Sequence, residues 1–186
     1  EKSKDVRATA QTILQKIAKD HARIVFNGDN YCQNWVKEAE KRGLPNIPST
    51  VDSIETILEP ENIELFERNR VLSKVELEAR TEILLENYIR TINIEACTTL
   101  NIARRQILPA CVMYAGKLAG SVSSVKSAGS EAGSQKKMLE KVCGLIDELH
   151  GAIEKLDEKV HAAAEIHSTH EKARKSRSEI IPLMNA

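Results

Sequence analysis

The sequence is poor in aromatic rings, has no net charge and contains no sustained apolar run. Aromatics make up 3% of its 186 residues, so any buried interior must be built from Leu, Ile, Val and Ala. Basic and acidic side chains balance at 27 each. That balance gives the chain no overall reason to seek nucleic acid or an anionic membrane. No apolar run reaches the ~18 residues that a membrane span needs. The opening Glu1-Lys2-Ser3-Lys4 leads straight into a polar helical pattern, so no signal peptide is expected.

Cysteine is scarce too. Cys32, Cys97, Cys111 and Cys143 form no Cys-x-x-Cys pair, and each falls in a helical pattern. They read as free buried thiols in a reducing, cytoplasmic compartment rather than as a disulfide framework or a zinc site. Phosphate-binding glycine loops, a His-Glu-x-x-His helix and a Gly-x-Ser-x-Gly elbow are all missing. No catalytic, cofactor-binding or metal-ligating residue is therefore assigned.

What is present is helical periodicity. Val6, Ala10, Ile13, Leu14 and Ile17 give an apolar face over residues 4–20. Asn27-Gly28-Asp29-Asn30 predicts a tight turn using positive φ, with Asp29 or Asn30 capping a helix over 31–42. Gly43 stops that helix. A loop over 44–49 leads to a short helix capped by Ser49 or Thr50, and Pro60 starts another with Ile63 and Phe66 inward. Ser73-x-x-Glu76 is a capping box that opens a long helix. Its stripe reads Leu85, Ile89, Ile92, Ala96, Thr99, Ala103, Gln106, with a kink expected at Pro109. Leu139, Val142, Ile146, Leu149, Ile153, Leu156, Val160, Ala163 and His167 then repeat in strict steps of three and four, a coiled-coil seam. With a Ser/Gly-rich tip at about 127–134 between them, the long elements predict an antiparallel hairpin with arms of about 45 residues, too long for a compact domain.

The expected fold is all-α: short N-terminal helices with an aromatic turn over 1–72, and a long helical hairpin over 73–186. Together these make one domain, which the family resemblance given below implies is part of a larger chain.

Few residues suggest chemistry. Glu158-x-x-His161 and Asp147-x-x-His150 have di-iron spacing, but lie about 16 Å apart on one helix and cannot share a site. His167 and His170, with Glu171, could hold a metal within one turn, although solvated surface is the simpler reading. Asn27 to Asn30 could hold an anion at a helix start, a role its own caps compete for. Gly116-x-x-x-Gly120 would allow close helix approach. Phe26, Tyr31 and Trp35 concentrate the aromatics, with Tyr31 and Trp35 one helical turn apart. They read as a satellite core or as interface anchors. Arg104 and Arg105 could meet an acidic partner or a phosphate, although solvated surface is the simpler reading.

Several stretches resemble a known family. Arg23-Ile24-Val25-Phe26-Asn27-Gly28-Asp29-Asn30-Tyr31 and the run from Trp35 to Asn46 are similar to the C-terminal helical domain of type III glutamine synthetases. So are Glu64-Leu65-Phe66-Glu67, Tyr88 to Ala96, Gln106-Ile107-Leu108-Pro109-Ala110, Lys172-Ala173-Arg174 and Ile181-Pro182. The resemblance implies a parent enzyme that makes glutamine from glutamate, ammonia and ATP with divalent metal (Mg), in two-ring homo-oligomers. The catalytic region would lie upstream, with ATP and metal bound there and no cofactor in this segment. The partners implied are that catalytic region and neighbouring subunits. The family's further helical tail after Pro182 is not matched, and the tip over 121–135 matches no family pattern. Two other readings stand beside this one, a stand-alone helical interaction module and a metal-binding helical bundle.

Overall fold

The computed structural model describes residues 5–186. Among them there is no strand, and the fold is all-α. The chain divides into two compact units, one formed by the described residues up to Pro48 and the other by Ser49–Ala186.

In the first unit, α1 (Val6–Asp20) starts where Asp5 Oδ1 accepts the N–H groups of Arg7 and Ala8 at 2.9 and 3.1 Å. Its predicted apolar face is exposed at Val6, Ile13, Leu14 and Ile17. α2 spans Gln33–Lys41, two residues later than the sequence suggests. Neither Asp29 nor Asn30 caps it. Cys32 holds the N-cap position without capping the helix through its side chain, its Sγ donating to Asp29 O at 2.9 Å, and Asp29 Oδ1 accepts the Tyr31 N–H at 2.9 Å inside the turn. Gly43 ends α2 at φ +66°, with its own N–H on Glu40 O and the Leu44 N–H on Ala39 O. This paired arrangement satisfies two orphan carbonyls.

In the second unit, Ser49 caps α3 (Thr50–Glu55), and Pro60 opens α4 (Pro60–Arg68). The capping box at Ser73 and Glu76 then starts α5 (Lys74–Ile102). Helix continues without a gap through a π turn (Ala103–Ile107) into α6 (Leu108–Ser127), so residues 74–127 form one rod of roughly 80 Å at 1.5 Å per residue. Gly129, at φ +80°, ends the rod as Gly43 ends α2. α7 (Gly133–Ala164) returns antiparallel. α8 (Thr169–Lys175), a second π turn (Ser176–Ile180) and α9 (Ile181–Met184) close the unit. The expected hairpin is present with unequal arms, and its connection is shorter than the sequence implies, since Gly133 and Ser134 already belong to α7.

Both π turns precede a proline at the second position of the following helix, Pro109 and Pro182. Proline has no N–H and its ring crowds the carbonyl four residues back. Each turn widens by one residue, so that the N–H of Leu108 reaches Ala103 O and that of Ile181 reaches Ser176 O, five residues back. The proline thus produces a π turn rather than a break. It also moves the apolar stripe. Gln106, expected on that stripe, is exposed, and the buried face resumes at Leu108.

Two cores hold the second unit. Ile92, Ala96, Leu100 and Ala103 of the long rod pack with Ile153, Leu156 and Ala163 of α7 and with Ile180. Val51, Ile54, Leu85 and Ala173 join α3, α5 and α8. Towards the tip the seam thins. Leu139, Val142, Ile146 and Leu149 are only half-buried, and no residue of α6 is fully buried. His167 leaves the predicted seam because α7 ends at Ala164, and its side chain is exposed.

Candidate functional site

The hairpin end is the most distinctive surface. Leu108, Cys111, Ala115, Leu118, Val122 and Val125 of α6 are its half-buried positions, in steps of three and four. They face the α7 seam but do not seal it. Ala110, Cys111, Tyr114, Val142, Leu145 and Ile146 line an apolar groove of about 440 Å³ there. Val112, Met113, Tyr114, Met138 and Leu145 are exposed around it. Tyr114 donates its hydroxyl to Met138 Sδ at 3.5 Å, one of the few polar contacts across the arms. Apolar surface of this extent on a projecting element is the usual mark of a contact site.

The base of the hairpin is cross-tied by charge. Arg104 donates to Glu154 at 3.1 Å and to Asp157 at 2.8 Å, joining the rod to α7. The Arg104 hydrogen bond holds the Asp157 carboxyl below its ordinary range. Lys159 meets Glu179 at 2.7 Å, which holds the Glu179 carboxyl down in the same way. A third group fixes α8 against α3. Glu55 accepts from Arg174 and from His170 (3.3 Å), and Arg177 donates to Asp52 at 2.6 Å. The Arg174 hydrogen bond lowers the Glu55 pKa, more than burial raises it. Arg104, named from sequence as an interface candidate, is therefore engaged within its own chain. Arg105 is exposed and makes no ion pair among the described residues.

In the first unit the aromatic cluster takes another form. Phe26 and Trp35 stack with ring centroids 4.5 Å apart, and the Arg42 guanidinium lies 5.9 Å from each centroid. Arg42 also donates to Val25 O at 2.7 Å, Arg23 O at 3.2 Å and Glu38 Oε1 at 2.9 Å. This clasp ties the turn to α2. Tyr31 is not on one face with Trp35. It precedes the helix, where Cys32 is extended, and its side chain is 99% exposed. Gly28 is required for close approach rather than positive φ, since a Cβ there would lie 2.7 Å from Phe26 Cε1.

The remaining candidates do not converge. Among the described residues no group of three or more His, Cys, Asp or Glu could hold a metal ion. His170 is committed to Glu55, and His161 Nδ1 lies 2.8 Å from Asp157 O. The cysteines are free, as expected, but not buried: Cys97 and Cys143 are exposed, Cys32 and Cys111 half-buried. Cys97 and Cys143 lie off the seam, while Cys111 lies in the open part of it and Cys32 at the end of the turn. No helix among the described residues is long and apolar enough to cross a membrane.

The model of the glutamine synthetase C-terminal domain family matches residues 9–126. The chain belongs to that family. The glutamine synthetase C-terminal domain match takes in the clasp, the first π turn and most of α6. A type-3 glutamine synthetase from Dictyostelium discoideum is 36% identical across 96% of this chain, which spans 26% of that relative's length. A glutamine synthetase from Butyrivibrio fibrisolvens is 35% identical over 66% of the chain and 18% of its own length. One from Bacteroides fragilis (strain YCH46) is 30% identical over 58% of the chain. The chain thus spans about a quarter or less of the length of these relatives. The α6 half of the hairpin seam, in this glutamine synthetase C-terminal domain, was missed from sequence. Its signal, the regular spacing from Leu108 to Val125, is present but diluted by glycine and serine.

Proposed function

We propose that this chain is the C-terminal accessory domain of a longer, ATP-dependent glutamine synthetase, a glutamate–ammonia ligase of the cytoplasm. In this reading it serves assembly of a homo-oligomer. The names of its relatives support the parent activity. The carboxylates that the fold draws together, Glu55, Asp157 and Glu179, each face arginine or lysine and so do not suit magnesium or ATP. Both are assigned to the rest of the parent chain. Residues 1–72 and 73–186 would act together as one domain there, contacting the catalytic region and neighbouring subunits.

The observation that carries the assembly role is the incompletely sealed hairpin end, with Met113, Met138 and Leu145 in solvent. Tyr31 and Arg105 are further contact candidates, their side chains both exposed, whereas Phe26, Trp35 and Arg104 would act by keeping their units in shape. The test is a parent enzyme in which residues 111–146 are replaced by a short glycine-rich turn. The expected result is a smaller particle in sedimentation velocity, with glutamine formation reduced alongside it. Full particle size and full activity would reject the assembly role.

A further inference from the structure

A cavity of mixed character lies at the base of the hairpin, at the opposite end of α7 from the tip. It has a volume of about 440 Å³ and is bounded by α5, the end of α7, α8 and the second π turn. Ile89, Val160, Ala163 and Ile180 give it an apolar lining, each of them buried or half-buried. Ser176 and Ile180, the first and last residues of the π turn, both line it. π turns inside helices are frequent at functional sites.

The charged groups of this cavity are not neutralised from within the chain. Glu86 and Arg90 both line it and stand one turn apart on α5, in the order that favours an ion pair. Neither makes an ion pair among the described residues. Lys172 of α8 lines the cavity too, half-buried and likewise without an ion pair among the described residues. Its Nζ donates to Ala164 O at 3.3 Å. An ammonium carries three donors, so that one bond leaves others for a ligand. Arg104, Arg174 and Arg177, by contrast, are each tied to a carboxylate of the same unit.

We propose that this cavity binds a small aliphatic carboxylate. Arg90 and Lys172 hold the carboxylate group, and the hydrocarbon body covers the apolar lining. Arg90 and Lys172 against the single carboxylate of Glu86 leave a net positive charge that suits a monoanion. A phosphate dianion fits less well. Glu86 and the Ala164 carbonyl both repel it, and it offers nothing to the apolar lining. The cavity shares no residue with the hairpin surface, so this site and the assembly role stand or fall separately.

A chemical-shift titration of the isotope-labelled 186-residue chain tests the site, with isovalerate, its neutral amide isovaleramide and inorganic phosphate as probes. Isovalerate should move the resonances of Arg90, Lys172 and Ser176 and reach saturation. Isovaleramide has the same shape without the charge and should not bind. Arg90→Gln should weaken isovalerate about fivefold or more. Lys172→Gln keeps a donor for Ala164 O and should weaken it similarly. Glu86→Gln removes the repelling carboxylate and should tighten it. Residues 86 and 90 are exposed, and circular dichroism checks that all three variants remain helical. The proposal is overturned if isovalerate moves none of the lining residues, or if isovaleramide binds as well as the acid. It is overturned equally by phosphate binding more tightly than isovalerate, by full affinity in both Arg90→Gln and Lys172→Gln, or by weaker binding in Glu86→Gln.

Discussion

Arg174 meets Glu55 along one edge of its guanidinium, with Nε 2.9 Å from Oε1 and Nη2 2.9 Å from Oε2. The pair joins residues 119 positions apart and pins α8 to the end of α3. Two parallel hydrogen bonds fix direction as well as distance, which lysine could not do. Arg174→Lys is expected to lower the thermal midpoint, and Glu55→Gln to lower it further, since Arg174 and His170 both lose their anion. Thermal unfolding followed by circular dichroism measures both.

The same carboxylate sets a pH dependence. Its folded-state pKa lies below the ordinary value, chiefly through Arg174. At pH values near that range the unfolded chain therefore binds more protons, and stability rises with pH. The contribution is complete above the unfolded value, about 4, and is lost as pH falls through the folded one. Asp157 and Glu179 are lowered too and act in the same direction. Thermal midpoints taken from pH 7 to pH 3 should fall, and fall less steeply in Glu55→Gln. Parallel curves for the two proteins would show that Glu55 is not one of the responsible groups.

Burial along the second unit predicts a gradient of mutational cost. Leu85 is fully buried, so Leu85→Ala should cost about 2–5 kcal/mol. Val142 is half-buried in the open part of the seam, and Val142→Ala should cost about 1 kcal/mol or less. Urea unfolding of the two variants measures the difference. Equal costs would mean that the hairpin end is packed as tightly as its base.

Thr81 offers a gain instead of a loss. Its side chain is fully buried, and Oγ1 has no hydrogen-bond partner among the described residues. A hydroxyl removed from water without a partner is unfavourable, while valine fills nearly the same shape. Thr81→Val should raise stability by about 1 kcal/mol in urea unfolding. A loss would show that the hydroxyl is hydrogen-bonded in solution.

Gly28 and Arg70 test two different demands on the backbone. A methyl at Gly28 would meet the Phe26 ring, so Gly28→Ala should shift the emission of Trp35, the chain's single tryptophan. Unchanged emission would mean that the clasp tolerates the methyl. Arg70 ends α4 at φ 54° in the same arrangement that Gly43 gives α2. Glycine adopts that conformation without steric cost. Arg70→Gly is expected to stabilise by about 1 kcal/mol, and Gly43→Ala to destabilise by a similar amount.

Local signals were the legible ones. The Ser73–Glu76 capping box, the stop at Gly43 and the heptad of α7 can each be read within a few residues, because the groups concerned are neighbours in the chain. Sequence placed Tyr31 in α2 because its spacing from Trp35 suits a helix, and spacing carries no information on where the backbone is still extended. The pairing of Asp52 and Glu55 with Arg177 and Arg174 had no local sign, since the partners lie on opposite sides of the hairpin. At the candidate surface, one seam was visible and its mate was hidden behind Pro109. A kink was the expectation at Pro109, and the structure instead shifts the pattern by one residue there.

That shift has a consequence for the hairpin's bearing. Each residue of an α-helix turns the chain by about 100°. The step from Ala103 to Leu108 is one residue longer than a regular helix would allow. The π turn therefore works as an angular joint, dialling the azimuth of the outer arm independently of the base. Removing a single residue between 104 and 107 would leave Ile92, Ala96, Leu100 and Ala103 in the core of the base. It would swing the outer face of α6 by about a quarter of a turn, away from α7 and from whatever it meets beyond.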